Sequence, residues 1–144
     1  MSSSYAATAA LAVQGAIHTA MLASTALRAI LGNPVRIYDR VPSDPDKPVF
    51  PYASFGPIQG LDGGDTCHVG AEVFVQIDVW SRKVGRVEAQ QAAAVIASLL
   101  DDEITVTGFQ LLVHEMRDVL IQTGRDGLTT QAIIRLRYEL APTS

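Results

Sequence analysis

Three histidines and a single cysteine are the side chains best suited to chemistry in this chain, and their spacing does not combine them. His18, His68 and His114 fall on different predicted elements, and none has a partner at metal-ligand spacing. Cys67 and His68 are adjacent, but neighbours on an extended strand point to opposite faces and cannot form a nucleophile–base pair there. They read as a small thiol at a strand end and a surface imidazole.

The run from Gln59 to Asp65, with Gly60 and then Asp62-Gly63-Gly64-Asp65, could hold phosphate or calcium in principle. It lacks the Gly-Lys-Ser/Thr ending of a phosphate loop, and the spaced acidic positions and terminal Glu of a calcium loop. It is expected to be a mobile loop between strands. Arg82, Lys83 and Arg86 cluster between a predicted strand and a predicted helix, where a solvated helix start is the ordinary meaning. Arg135, Arg137 and Glu139 are expected to form cross-strand charge pairs, with Asp78 or Glu115 as partners. No catalytic residue, cofactor or metal site is therefore expected.

The bulk numbers fit that reading. A chain of 144 residues is most simply one domain, 1–144, large enough to bury a core without metals or disulfides. Its net charge of −4 argues against a dedicated nucleic-acid binder, whose footprint would be basic. One cysteine excludes an internal disulfide. The N-terminus carries no Lys or Arg before Arg28, unlike a secretory signal, and Gln14 and His18 interrupt its apolar run, so no membrane partner is expected.

The elements that must position these residues centre on 71–100. Val73, Val75, Ile77 and Val79 alternate with Glu72, Phe74, Gln76, Asp78 and Trp80, giving a strand with one apolar and one mixed face. Ala89, Ala92, Val95, Ile96, Leu99 and Leu100 then recur at helical spacing. Ahead of them lie an Ala-rich helix from Tyr5 to about Ala23, capped by Ser3 or Ser4, and a short helix from Ala26 to Leu31. Gly32-Asn33-Pro34 stops that helix. Val35 to Asp39 is short and extended, and the Pro-rich stretch 42–51 reads as a surface loop. Tyr52 to Phe55 is a strand ending at Gly56-Pro57, and the central strand begins near Cys67. Ile104 to Val106 is a short extended piece.

Phe109 to Thr123 alternates poorly, because Leu111-Leu112-Val113 and Val119-Leu120-Ile121 are apolar at adjacent positions, as in a strand covered on both faces or a subunit edge covered by a neighbour. Gly124-Arg125-Asp126-Gly127 signals a hairpin. The return strand puts Thr130, Ala132, Ile134, Leu136 and Tyr138 on one face, with Ile133 the exception on the other. The fold class is α+β, a mainly antiparallel sheet of about four strands with two main helices packed on one face. Phe74, Trp80, Ile133 and either Leu111-Val113 or Leu112-Met116 are left on the face away from the helices, and exposed apolar area of that kind marks an interface.

The order of several segments resembles the phage tail-completion or tail terminator family, including its gene transfer agent branch. The matching pieces are the Ala-rich first helix, Arg36-Ile37-Tyr38-Asp39 with Val41-Pro42, and Phe50-Pro51-Tyr52. Val79-Trp80-Ser81-Arg82 with Gly85-Arg86-Val87-Glu88-Ala89, the Asp126-Gly127 hairpin and Arg135-Leu136-Arg137-Tyr138 complete the set. The resemblance implies a structural virion protein at the head-proximal end of a tail. Its copies would form a homo-oligomer, a hexameric ring, that caps the tail tube protein, stops polymerisation and docks a head-side adaptor or stopper protein. DNA would pass through the lumen without specific binding, which an acidic chain suits.

On that view Asp62, Gly63, Gly64, Asp65, Phe74, Trp80, Ile133, Arg135 and Arg137 are the candidate partner and oligomer contacts. The Gly60–Asp65 and Pro-rich loops would meet tube and connector. The alternatives are a head-completion or adaptor connector protein, and a small ligand-binding or enzymatic domain with an inter-subunit site. An RNA-binding sheet is disfavoured, because Phe74 and Trp80 lie beside Glu72 and Asp78 rather than in a basic setting.

Overall fold

The computed structural model describes residues 5–43, 48–62 and 70–143. The expectations for Ser3, Ser4, Gly63, Gly64, Asp65, Cys67 and His68 fall outside the described residues.

Helix α1 runs Tyr5–Ala23 and buries Ala9, Val13, Ile17 and Met21 as one stripe. By length and composition it could cross a membrane. Its stripe is instead packed into the core, and the many alanines let it lie close to the sheet. A short helix α2, Thr25–Leu31, follows after Ser24, whose Oγ accepts from the Leu27 amide at 3.2 Å. Gly32 ends it at a φ of 90°, donating its N–H to the Arg28 carbonyl.

Five strands make one sheet: β1 Ile37–Tyr38, β2 Tyr52–Asp62, β3 Ala71–Ser81, β4 Phe109–Thr123 and β5 Thr130–Pro142. Helix α3, Val87–Asp101, connects β3 to β4. The spatial order is β1-β2-β3-β5-β4, with β1 parallel to β2 and every other pairing antiparallel. The fold is therefore α+β with a mixed sheet, one two-residue strand larger than expected. Helix α1 lies over β2 and β3, and α3 over β3, β5 and β4. Val73, Val75, Ile77 and Val79 of β3 and Ala132, Ile134, Leu136 and Tyr138 of β5 fill the layer between.

Strand β2 does not stop at Gly56-Pro57 but continues to Asp62. A bulge between Phe55, opposite Ile77, and Ile58, opposite Val75, absorbs the proline, which has no N–H to give the ladder. Gly60 and Asp62 thus belong to a strand rather than a loop, and both serve α1. A Cβ at Gly60 would come within 2.5 Å of the Ala6 carbonyl oxygen, so only glycine lets the helix settle there. Asp62 Oδ1 accepts from the Ala6 amide at 3.1 Å, capping the helix from 56 residues away with a charge that suits its N-terminus. Strand β3 runs from Ala71 among the described residues, and Ile104 and Val106 are buried without forming a strand.

Strand β4 carries two bulges, the first within its apolar run Leu111-Leu112-Val113, whereas Val119-Leu120-Ile121 pairs regularly and is apolar on both faces. Leu111 faces Leu140 while Val113 faces Glu139, so Leu112 is an extra residue and the facing parity flips. It flips back at Arg117, between Met116 opposite Leu136 and Asp118 opposite Arg135. Leu111 and Met116 therefore face the helices and Val113 faces away, so neither expected pair shares a face. The strand is an uncovered edge, with Leu112, Val119 and Leu120 between 43% and 47% exposed.

The α1–β2 contact yields a stability prediction. Asp62→Ala should lower unfolding free energy by about 1 kcal/mol through loss of the cap. Gly60→Ala should cost about 1–3 kcal/mol, because backbone must move to admit the methyl group. Urea denaturation of the two variants checks both, and a midpoint equal to wild type for Gly60→Ala would refute the close approach.

Candidate assembly surface

The side of the sheet opposite the helices carries no helix among the described residues. Strict alternation puts Glu72, Phe74, Gln76, Asp78 and Trp80 of β3 there, paired with Glu139, Arg137, Arg135, Ile133 and Gln131 of β5. Phe74, Trp80, Ile133, Arg135 and Arg137 are thus brought onto one face. Asp62 is not among them, since it pairs with Ala71 on the helix side.

Charges on this face are largely matched within it. Arg137 donates to Glu72 and to Glu139, and these two, Glu72 first, raise its pKa above the ordinary value; Glu115 Oε1 lies 3.9 Å away. Arg135 Nη1 lies 3.3 Å from Asp118 Oδ2. The Arg117 guanidinium sits 5.1 Å from the centre of the Phe74 ring. Glu115 is a partner as expected, but Asp78 is not ion-paired. It is buried, accepts from Gln76 Nε2 at 3.1 Å and Gln131 Nε2 at 3.4 Å, and burial pushes its carboxyl above 3.8 against those hydrogen bonds. Trp80 is fixed by its indole N–H, which donates to Ser54 Oγ at 3.2 Å. Ile133, only 6% exposed, is enclosed between Asp78 on one neighbouring strand and Leu120 on the other.

At one end the face runs into an aromatic cleft. Phe50 and Tyr52 meet edge to face at 5.1 Å, and Arg82 lies 4.4 Å over the Phe50 ring while its Nε donates to Thr129 Oγ1. With Trp80, Arg125 and Gln131 these residues line an open cavity of about 360 Å³. The β4–β5 turn beside it is held by Asp126, whose carboxylate accepts from the Thr129 amide and hydroxyl and the Leu128 amide. Those bonds draw its pKa down to about 2.

The arginine and lysine cluster before α3 adjoins this turn, as Thr130 Oγ1 donates to the Gly85 carbonyl. Val84, Val87 and Leu128 stand around it at 99%, 62% and 68% exposure. Periodicity missed them, because none lies on a regular strand or helix stripe; a valine inside a charged loop was the available signal.

His18 sits on α1 and His114 on β4 opposite Tyr138. Among the described residues no group of three or more His, Cys, Asp or Glu is placed to hold a metal ion. What the arrangement offers is a broad, internally neutralised polar face with apolar islands, suited to contact with protein.

The tail completion protein gp17 family matches residues 15–138. Among solved structures, a chain from the virion of a native gene transfer agent particle is similar over 96% of this chain and 98% of that one. It has 23% identity and a TM-score of 0.79. The gp17 protein of bacteriophage SPP1 is similar over 91% of this chain and 90% of its own, at 19% identity and a TM-score of 0.60. No curated protein matches the chain. At these identities the structures establish a shared fold.

The raised Asp78 pKa sets a pH dependence. A carboxyl that binds its proton more tightly when folded contributes most at low pH, and that contribution is lost as pH rises from 3.8 through the elevated folded value. Asp78→Asn removes the titration, so its stability relative to wild type should rise between pH 4 and pH 7. Parallel denaturation curves at the two pH values measure this, and a relative stability that falls over the interval would refute it.

Proposed function

The chain belongs to the tail completion protein gp17 family, and on that premise we propose that it is a structural virion protein acting as a tail terminator. In this reading residues 1–144 form a single domain whose copies close into a ring on the head-proximal end of the tail tube. A six-fold ring would weigh about 92 kDa, six copies of 15.4 kDa.

The match over residues 15–138 carries the proposal, because it takes in every strand and helix from the middle of α1 into β5. The uncovered face supports it. A monomer gains nothing from holding Phe74, Trp80 and Leu120 on an open sheet, whereas contact with a neighbouring subunit or tube protein would remove them from water. Phe74, Trp80, Arg135 and Arg137 are the proposed contacts there, whereas Ile133, expected among them, is enclosed by Asp78 and Leu120 and supports the face from within. Gly63, Gly64 and Asp65 remain proposed tube or connector contacts.

The mechanism is occupation. Tube growth needs a free, correctly shaped end, and a ring seated on that end presents a different surface to the next tube subunit. Polymerisation then stops, and the ring's far side offers the head connector a docking plane. No group on this chain has to react, and the charge matching around Arg137 and Arg135 leaves DNA few unpartnered cations on the open face to grip in passing.

Deleting the gene should leave DNA-filled heads separate from tails of uncontrolled length, as seen by negative-stain imaging. Purified protein added to polymerising tube protein should shorten the tubes and appear at one end. Normal particles from the deletion strain would end the proposal.

A further inference from the structure

Apart from Glu88 in its first turn, helix α3 carries charges that oppose its own dipole at both ends. Arg82, Lys83 and Arg86 crowd its N-terminus, where partial positive charge favours anions, and Arg86 occupies the N-cap with no side-chain cap bond. Its C-terminus runs into Asp101, Asp102 and Glu103, all exposed, where cations would be favoured. Among the described residues none of these six side chains forms an ion pair, and no Lys or Arg occurs between Arg86 and Arg117. The charges oppose the helix that carries them, so the helix's own stability does not account for them.

The basic end is more than a helix start. The β4–β5 turn packs beside it, adding Arg125 and Leu128, and loop and turn together line a cavity of about 300 Å³ on a second side of the aromatic cleft. Val84, 99% exposed, and Val87, 62% exposed, stand among the cations. Two carboxylates lie nearby, Glu88 accepting from Ser81 Oγ at 2.8 Å and Asp126 holding its turn, and Arg82, Lys83, Arg86 and Arg125 outnumber them. A net basic surface with exposed apolar groups fits an acidic protein corner.

The chain carries such a corner at the other end of the same helix, about 22 Å away at 1.5 Å per residue.

We propose that the loop–turn surface of residues 82–87 and 125–128 docks the acidic corner at residues 101–103 of a second copy of this chain. The contact joins two different surfaces, and repeated head to tail with a closing rotation it makes a ring. It rests on the terminator-ring reading and adds which surfaces meet.

The test is a charge exchange. One variant carries Arg82→Glu and Arg86→Glu, the other Asp101→Lys and Asp102→Lys, each confirmed folded by circular dichroism. In native mass spectrometry, with and without tube ends, each variant alone should lose the ring and remain near 15.4 kDa. Mixed in equal amounts they should regain it as alternating copies, which an even ring such as a hexamer permits. Rings from either variant alone, or no recovery on mixing, would overturn the docking while leaving a wild-type ring intact. Loss of tube or connector binding from an undisturbed ring would assign the basic surface to another protein. Single wild-type copies both free and on tube ends would instead remove the ring reading itself.

Discussion

The uninterrupted pairing of β3 with β5 is the constraint on which the rest depends. From Ala71 opposite Leu140 to Ser81 opposite Thr130 the register never slips, so each residue's face is fixed by its parity. One parity supplies the valines, isoleucines and Tyr138 that α1 and α3 cover; the other supplies a row of Glu72, Phe74, Gln76, Asp78 and Trp80. A one-residue slip would exchange the two sets and expose the core. Bulges are confined to the outer pairings, β2 with β3 and β4 with β5, where they bend the rim without disturbing the centre.

This also explains what could be read from the residues alone. The β3 alternation, the α3 stripe and the two faces of β5 were legible because each obeys one period over ten or more residues, and the hairpin because an Asp-Gly pair supplies its turn. The limits of β2 were not, because Gly56 and Pro57 ordinarily end a strand and only pairing across a bulge carries the chain on to Asp62. Nor was the parity of β4, since one extra residue at Leu112 reverses the assignment of its successors. The role of Asp62 was out of reach for another reason: its partner, the Ala6 amide, is 56 residues away, and nothing local to either residue records the contact.

The candidate surface divides in the same manner. Phe74, Trp80, Ile133, Arg135 and Arg137 were identifiable as a face because strand parity collects them. Arg82, Lys83 and Arg86 were visible as a cluster but read as solvated, because the sequence does not show Leu128 and Arg125 arriving beside them from the β4–β5 turn. Val84 had no stripe to belong to. Loops gain meaning only from what packs next to them, and the sheet decides that.

Two charge regimes result, and they suit different contacts. On the open face carboxylates and guanidiniums are matched locally, so the face has little long-range field and discriminates by shape and apolar area. At the two ends of α3 the surplus charges are opposite in sign and held apart by a helix too stiff to let them meet within one copy. Internal pairing is thus geometrically denied to them, and a neighbour can satisfy them only by presenting the opposite end. An isologous pairing that set either end against itself would bring like charges together, so the charges favour contacts in which each end meets its opposite.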